Sequence, residues 1–136
     1  MTYAAKSMTP VAATRGEIER TLARYGASHF AYGSSPGKAV IMFEAHSRRI
    51  KFVLPLISPA GTNEKQQGQF ERSRWRCLLL SIKANLETVE SGISTFETEF
   101  MPFTVLPNGS TVSEHTLPYI KEAYGSGKMP PLLGFN

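Results

Sequence analysis

Apolar residues change their spacing several times along this chain, and each change marks an element. Over 14–26, TRGEIERTLARYG, the residues Ile18, Leu22 and Tyr25 fall on one helical face. Thr14 and Glu17 have the spacing of a capping box, and Gly26 is placed to end the helix. Residues 1–13 show no period and are expected to form a flexible arm. Three strand-like runs follow. SHFAYG puts Phe30 and Tyr32 on one face, and Ser35-Pro36-Gly37 carries type II turn chemistry. KAVIMFEAH is continuously apolar over five residues, as in a central strand covered on both faces. After a tight turn at His46-Ser47-Arg48, RIKFVLPL alternates Ile50, Phe52 and Leu54 with Arg49, Lys51 and Val53.

The polar stretch 58–68, SPAGTNEKQQG, reads as a mobile loop. The longest element is a helix over 69–91, stopped by Gly92. At 100° per residue Trp75, Leu78, Ile82, Leu86 and Val89 form its apolar stripe. Arg72, Arg76 and Lys83 form a second stripe beside it, and Arg74 lies on the other side. STFETEF predicts a short acidic helix carrying Phe96 and Phe100. FTVLPNGSTV predicts a hairpin with Asn108-Gly109 in a primed turn. LPYIKEAYG predicts a short helix with Pro118 in its first turn. The expected fold is α+β: a three-stranded antiparallel meander flanked by two helices (αβββα), with a small C-terminal hairpin–helix extension. One domain over 14–128 is expected, followed by a Pro-rich apolar tail, 129–136.

Composition narrows the classes. With 136 residues and a hydrophobic fraction of 41%, the chain has enough apolar material for one core. The single Cys77 cannot form an internal disulfide, and the first residues lack the apolar core of a signal peptide. A reducing cytoplasm is expected, with no membrane segment. Cys77 itself is expected to be a small buried hydrophobe. The formal net charge of +4 is unevenly spread. From Lys38 to Lys83 there are nine Lys/Arg against three acids, and from Glu87 to Glu99 four acids and no base.

That asymmetry defines the main candidate site. Arg48, Arg49 and Lys51 on the hairpin, with Arg72, Arg74, Arg76 and Lys83 on the long helix, have the chemistry to displace counterions from phosphates. Arginine adds a planar two-pronged donor. Phe30, Tyr32 and Phe43 are the stacking candidates if exposed, whereas Trp75 lies on the apolar stripe and is expected in the core. The competing reading leaves the arginines as solvated helix surface. Other constellations carry less. His29, His46 and His115 are too scattered for a metal site, so no metal or cofactor is expected. Glu87, Glu90, Glu97 and Glu99 read as a solvated or intersubunit acidic face rather than a catalytic pair. GSSPGK at 33–38 precedes a strand, not a helix, and reads as a hairpin turn rather than a phosphate loop. No enzymatic activity is expected. The 129–135 tail is either a partner-docking peptide or a cover for the core edge.

The order helix–strand–strand–strand–helix over 14–91 resembles two nucleic-acid folds. These are the double-stranded RNA-binding domain and the core of the Rad52-like and RecT-like single-strand annealing proteins. The long helix favours the second, and EKQQGQFERSRWR lacks the lysine-rich motif of the first. In wording, RWRCLLLSIKANLETVESGISTFETEF, VLPNGSTV and GKMPPLL resemble a family of short phage and bacterial proteins without an assigned activity. The resemblance implies a phage or mobile-element setting. The expected function is non-enzymatic binding or annealing of single-stranded DNA by a homo-oligomer. The alternative is a protein-interaction module, such as a phage inhibitor of a host defence protein.

Overall fold

The computed structural model describes residues 7–130. Helix α1, Val11–Ala23, leads into strands β1 (Ser28–Ser35), β2 (Lys38–Ala45) and β3 (Arg48–Pro55). The long helix α2 spans Glu64–Glu90. A short helix α3, Phe96–Glu99, a 3-10 turn at Met101–Phe103 and helix α4, Val112–Ser126, follow among the described residues. The strands form one antiparallel sheet in the order β1-β2-β3. This is the expected α+β meander, with helices before and after it.

Helix α1 starts earlier than its pattern suggested. Pro10 stands at the N-cap, and its carbonyl accepts from Ala13 and Thr14 N–H at 3.1 Å. A proline suits this position because its missing N–H would have had no partner. Thr14 therefore lies inside the helix, fully buried, and does not cap it with Glu17. The other end follows expectation. Gly26 adopts φ +89°, with Ala27 N–H bonding Leu22 carbonyl and Gly26 N–H bonding Ala23 carbonyl. That paired closure is a Schellman motif, and its left-handed residue favours glycine.

Both strand turns are two residues long. Gly37, φ +80°, takes the left-handed position after Pro36, as a type II turn requires. His46 and Ser47 have φ 52° and 61°, the signature of a type I′ turn made without glycine. Each such residue costs about 1–2 kcal/mol. The turn is held by His46 stacking on Phe96, ring centroids 4.4 Å apart, and by Arg48 donating to the His46 carbonyl at 2.8 Å.

Helix α2 begins five residues before the expected Gln69. Asn63 accepts from Gln66 N–H while the Gln66 side chain accepts from Asn63 N–H. This capping box converts the second part of the expected 58–68 loop, from Glu64 on, into helix. The buried stripe is Trp75, Leu79, Ile82 and Leu86; Leu78 and Val89 sit at its margins, partly buried. Cys77 is exposed, contrary to its expected burial.

The core lies on one face of the sheet. Ala39, Ile41, Phe43 and Ala45 of β2, and Ile50, Phe52 and Leu54 of β3, pack with the α2 stripe and with Ile18 and Leu22 of α1. An aromatic row crosses it. Phe30 lies 5.9 Å from Phe43, Phe43 lies 6.0 Å from Phe52, and Phe52 lies 6.2 Å from Phe100 and 4.6 Å from Phe103. The opposite face of β2 is not covered as a continuous apolar run suggested: Val40 and Met42 are only half-buried.

The C-terminal hairpin exists, reduced to one bridge, and a second bridge joins it to β3. Thr104 pairs with Ile50 and Val105 with Thr111, so this segment extends the sheet beyond β3. Its turn is not primed. Gly109 N–H bonds Leu106 carbonyl with Pro107 and Asn108 between, and Gly109 alone is left-handed, φ +89°. Pro107 fixes the first central φ at a negative value, which gives a type I turn with a glycine bulge. Helix α4 is capped by Thr111 and Glu114, each bonding the other's N–H. Pro118 therefore lies in the helix interior rather than its first turn. It removes the bond that would reach the Glu114 carbonyl.

Phe100 is fully buried where sheet, α3 and 3-10 turn meet. Phe100→Ala is expected to lower unfolding free energy by about 3–5 kcal/mol, read from the urea midpoint.

Candidate polyanion interface

The basic residues divide into two sets on opposite sides of the sheet. On α2, Arg76 and Lys83 turn toward α1. Arg76 Nη1 lies 2.9 Å from Glu17 Oε1 and Lys83 Nζ 2.8 Å from Glu17 Oε2. The Arg76 side chain is only 17% exposed. One carboxylate thus clamps two cations and ties the two helices together. The bond from Lys83, then that from Arg76, holds the Glu17 carboxyl below its ordinary range. Arg72 is half-buried and donates to Gln69 Oε1 at 3.0 Å. Arg74 donates to the Pro55 carbonyl at 3.1 Å and lies over the Phe70 ring. Arg72, Arg74, Arg76 and Lys83 are thus all engaged within the fold, whereas Lys65, in the first turn of the helix, is exposed.

The second set is on β2 and β3. Because Ile50, Phe52 and Leu54 point inward, Arg49, Lys51 and Val53 point outward. The register sets Glu44 opposite Arg49, Met42 opposite Lys51 and Val40 opposite Val53. Lys38 shares the outward parity of Val40 and Met42 and is exposed. Arg49 is exposed and has no ion pair within 4.0 Å among the described residues. Arg48 sits at the rim, 3.7 Å from Glu97. A cleft of about 620 Å³ opens beside it, lined by Ser28, Glu44, His46, Ser47, Arg48 and Arg49 together with the 105–107 segment and Gly109. Glu114, at the start of α4, feels the charges of Lys51 and Lys38. Its carboxyl is lowered mainly by its bonds with Thr111.

The stacking candidates belong to the inner face. Phe43 is 1% exposed and is a core residue, so it offers no platform for a base. Phe30 is half-buried against Phe43. Tyr32 is covered by Arg15, whose guanidinium stands 4.1 Å above the ring. Burial, then the charge of Glu19, pushes the Tyr32 hydroxyl up to about 12. Trp75 is buried as expected.

The histidines do not converge. His29 Nδ1 lies 3.1 Å from Glu44 and 2.8 Å from Ser28 Oγ, His46 stacks on Phe96, and His115 faces Tyr119. Among the described residues no group of three potential metal ligands occurs. The acids are likewise dispersed: Glu90 accepts from the Tyr25 hydroxyl and Glu97 faces Arg48. No helix among the described residues is long and apolar enough to cross a membrane. Of the expected 129–135 tail, Met129 is exposed and residues 131–135 lie outside the described residues.

Two features escaped sequence reasoning. Lys38 joins the outward face, which strand parity through a two-residue turn would have indicated. Glu17 was assigned to a cap; its position between the α2 cations depends on how α1 packs, and no local signal carries that. In comparisons with known proteins, no family model, no curated protein and no solved structure matches this chain.

The clamp makes a signed prediction. A lowered carboxyl pKa stabilises the fold above the unfolded value, near 4.5, and the benefit disappears as pH falls through the folded value. Glu17→Gln is expected to cost about 1 kcal/mol at neutral pH. The difference from wild type should shrink toward pH 3. Urea midpoints at both pH values test this.

Proposed function

We propose that the protein binds the phosphate backbone of nucleic acid, single-stranded DNA in particular, through the outward face of β2 and β3. The observation behind this reading is the outward alignment of Arg49 and Lys51 with Lys38 nearby, while Arg76 and Lys83 of α2 are paired with Glu17. Arg49 and Lys51 are two residues apart on one strand, so their stems start about 7 Å apart. That spacing suits successive phosphates of an extended strand. Arg48 guards the entrance from the His46–Ser47 turn.

With the aromatic residues on the inner face, affinity comes from cations rather than from base stacking. Such binding is sequence-tolerant and steeply salt-dependent. A flexible single strand can bend its phosphates onto a small patch, which a stiff duplex does less readily. The protein acts as a binder rather than a catalyst and works in the cytoplasm, where an exposed thiol such as Cys77 stays reduced.

Purified protein titrated with labelled oligo-dT, and with a duplex of equal length, at two salt concentrations tests this. Arg49→Ala with Lys51→Ala should weaken binding and flatten the log–log salt slope by about 1.4. Arg76→Ala with Lys83→Ala should lower thermal stability and leave affinity near wild type. Absence of binding at low salt, or equal affinity in the Arg49/Lys51 variant, would overturn the assignment.

A further inference from the structure

Helix α4 is held weakly for its length. It has fifteen residues, none of them buried, and an internal proline. At 1.5 Å per residue it is about 22 Å long, and an isolated helix of that size is marginal in water. One side, carrying Val112, His115, Thr116, Tyr119 and Ala123, is partly buried. A second side is apolar and open: Leu117 is 57% exposed, Ile120 38% and Tyr124 89%. At 100° per residue these three fall within an arc of about 60°. Gly127, φ +73°, closes the helix. Beyond it Met129, 80% exposed, borders the same patch with Ile120, Ala123 and Tyr124.

We propose that this stripe pairs with the same stripe of a second copy of the chain, the two α4 helices running antiparallel. The stripe is complementary to itself. Around a two-fold axis between Ile120 and Lys121, Leu117 of one helix meets Tyr124 of the other, and Ile120 packs on the aliphatic stem of Lys121. The same axis sets Glu114 at one end opposite Gly127 at the other, beside Lys128. Each end of the pair thus closes with opposite charges flanking an apolar centre, the pattern of an isologous interface. Glu114 is suited to this role: Thr111 N–H bonds only its Oε1, which leaves Oε2 open to a cation. One helix face is small beside a standard interface, so the dimer is a weak one with a dissociation constant in the micromolar range.

The pairing would also act on nucleic acid. Glu114 lies within electrostatic reach of Lys38 and Lys51, so two basic faces would flank one seam. The dimer itself does not depend on nucleic acid and is testable alone.

Sedimentation equilibrium of the full chain under reducing conditions, over a wide concentration range, is the deciding measurement. Wild type should show a monomer–dimer equilibrium. Tyr124→Glu, at a site too exposed to affect folding, should weaken it about tenfold or more. Lys128→Glu should weaken it with unchanged far-UV circular dichroism. In a Cys77→Ser background, Leu117→Cys mixed with Tyr124→Cys should cross-link more readily than either alone. Monomer at every concentration would overturn the proposal and leave α4 to another occupant. So would a dimer that persists in Tyr124→Glu, or cross-linking that favours Leu117 with Leu117.

Discussion

Phe52 is the contact on which the architecture turns. Its ring meets Phe43 within the sheet and both Phe100 and Phe103 from the segment after α2. The strands and long helix bury one sheet face, but they do not decide where the last third of the chain goes. The Phe52–Phe100–Phe103 cluster does. With those rings in place, Thr104 reaches the edge of β3 and Val105 N–H bonds the Arg49 carbonyl at 2.8 Å. That backbone bond sets the start of α4, and so sets which cations Glu114 can feel. A substitution at Phe52 would therefore be felt at the outward basic face, although its side chain points the other way.

The two fates of the arginines and lysines show why counting charges overestimates a binding surface. A cation beside a carboxylate of another helix is already matched, and releasing it leaves an unpaired acid. Arg49, at an outward strand position, has no carboxylate within 4.0 Å among the described residues, although Glu44 stands opposite it in the register. The Arg76–Glu17–Lys83 group and the Arg49–Lys51 pair have the same cationic chemistry, but the first is tied into a contact between two helices and the second is not.

Periodicity located the elements because amphipathic spacing is local. Alternation at Ile50, Phe52 and Leu54 sufficed to assign β3 and its outward cations, and Trp75 was correctly placed in the core. Boundaries shifted where a cap competed with the apolar pattern: Asn63–Gln66 extended α2, and Thr111–Glu114 extended α4 past Pro118. A Thr-x-x-Glu at 14–17 was read as a cap, but Pro10 started the helix earlier and left Glu17 for tertiary use. Phe43 offered no sign of which face it occupied, since Val40 to Phe43 is apolar throughout. The division of the basic residues between two sides of the sheet depends on helix packing, which local pattern does not encode.

The sequential order of the meander has a further consequence during synthesis. Strands β1 to β3 pair with neighbours only two residues away around each turn, so the sheet can assemble as soon as Pro55 has emerged. Most of the cover for its inner face comes from Trp75 to Leu86, which a ribosome adds a few seconds later. A sheet formed in that interval would carry Ile41, Phe43, Ile50 and Phe52, buried in the folded protein, without their α2 cover. The yield of folded protein should then depend on how promptly the long helix is translated.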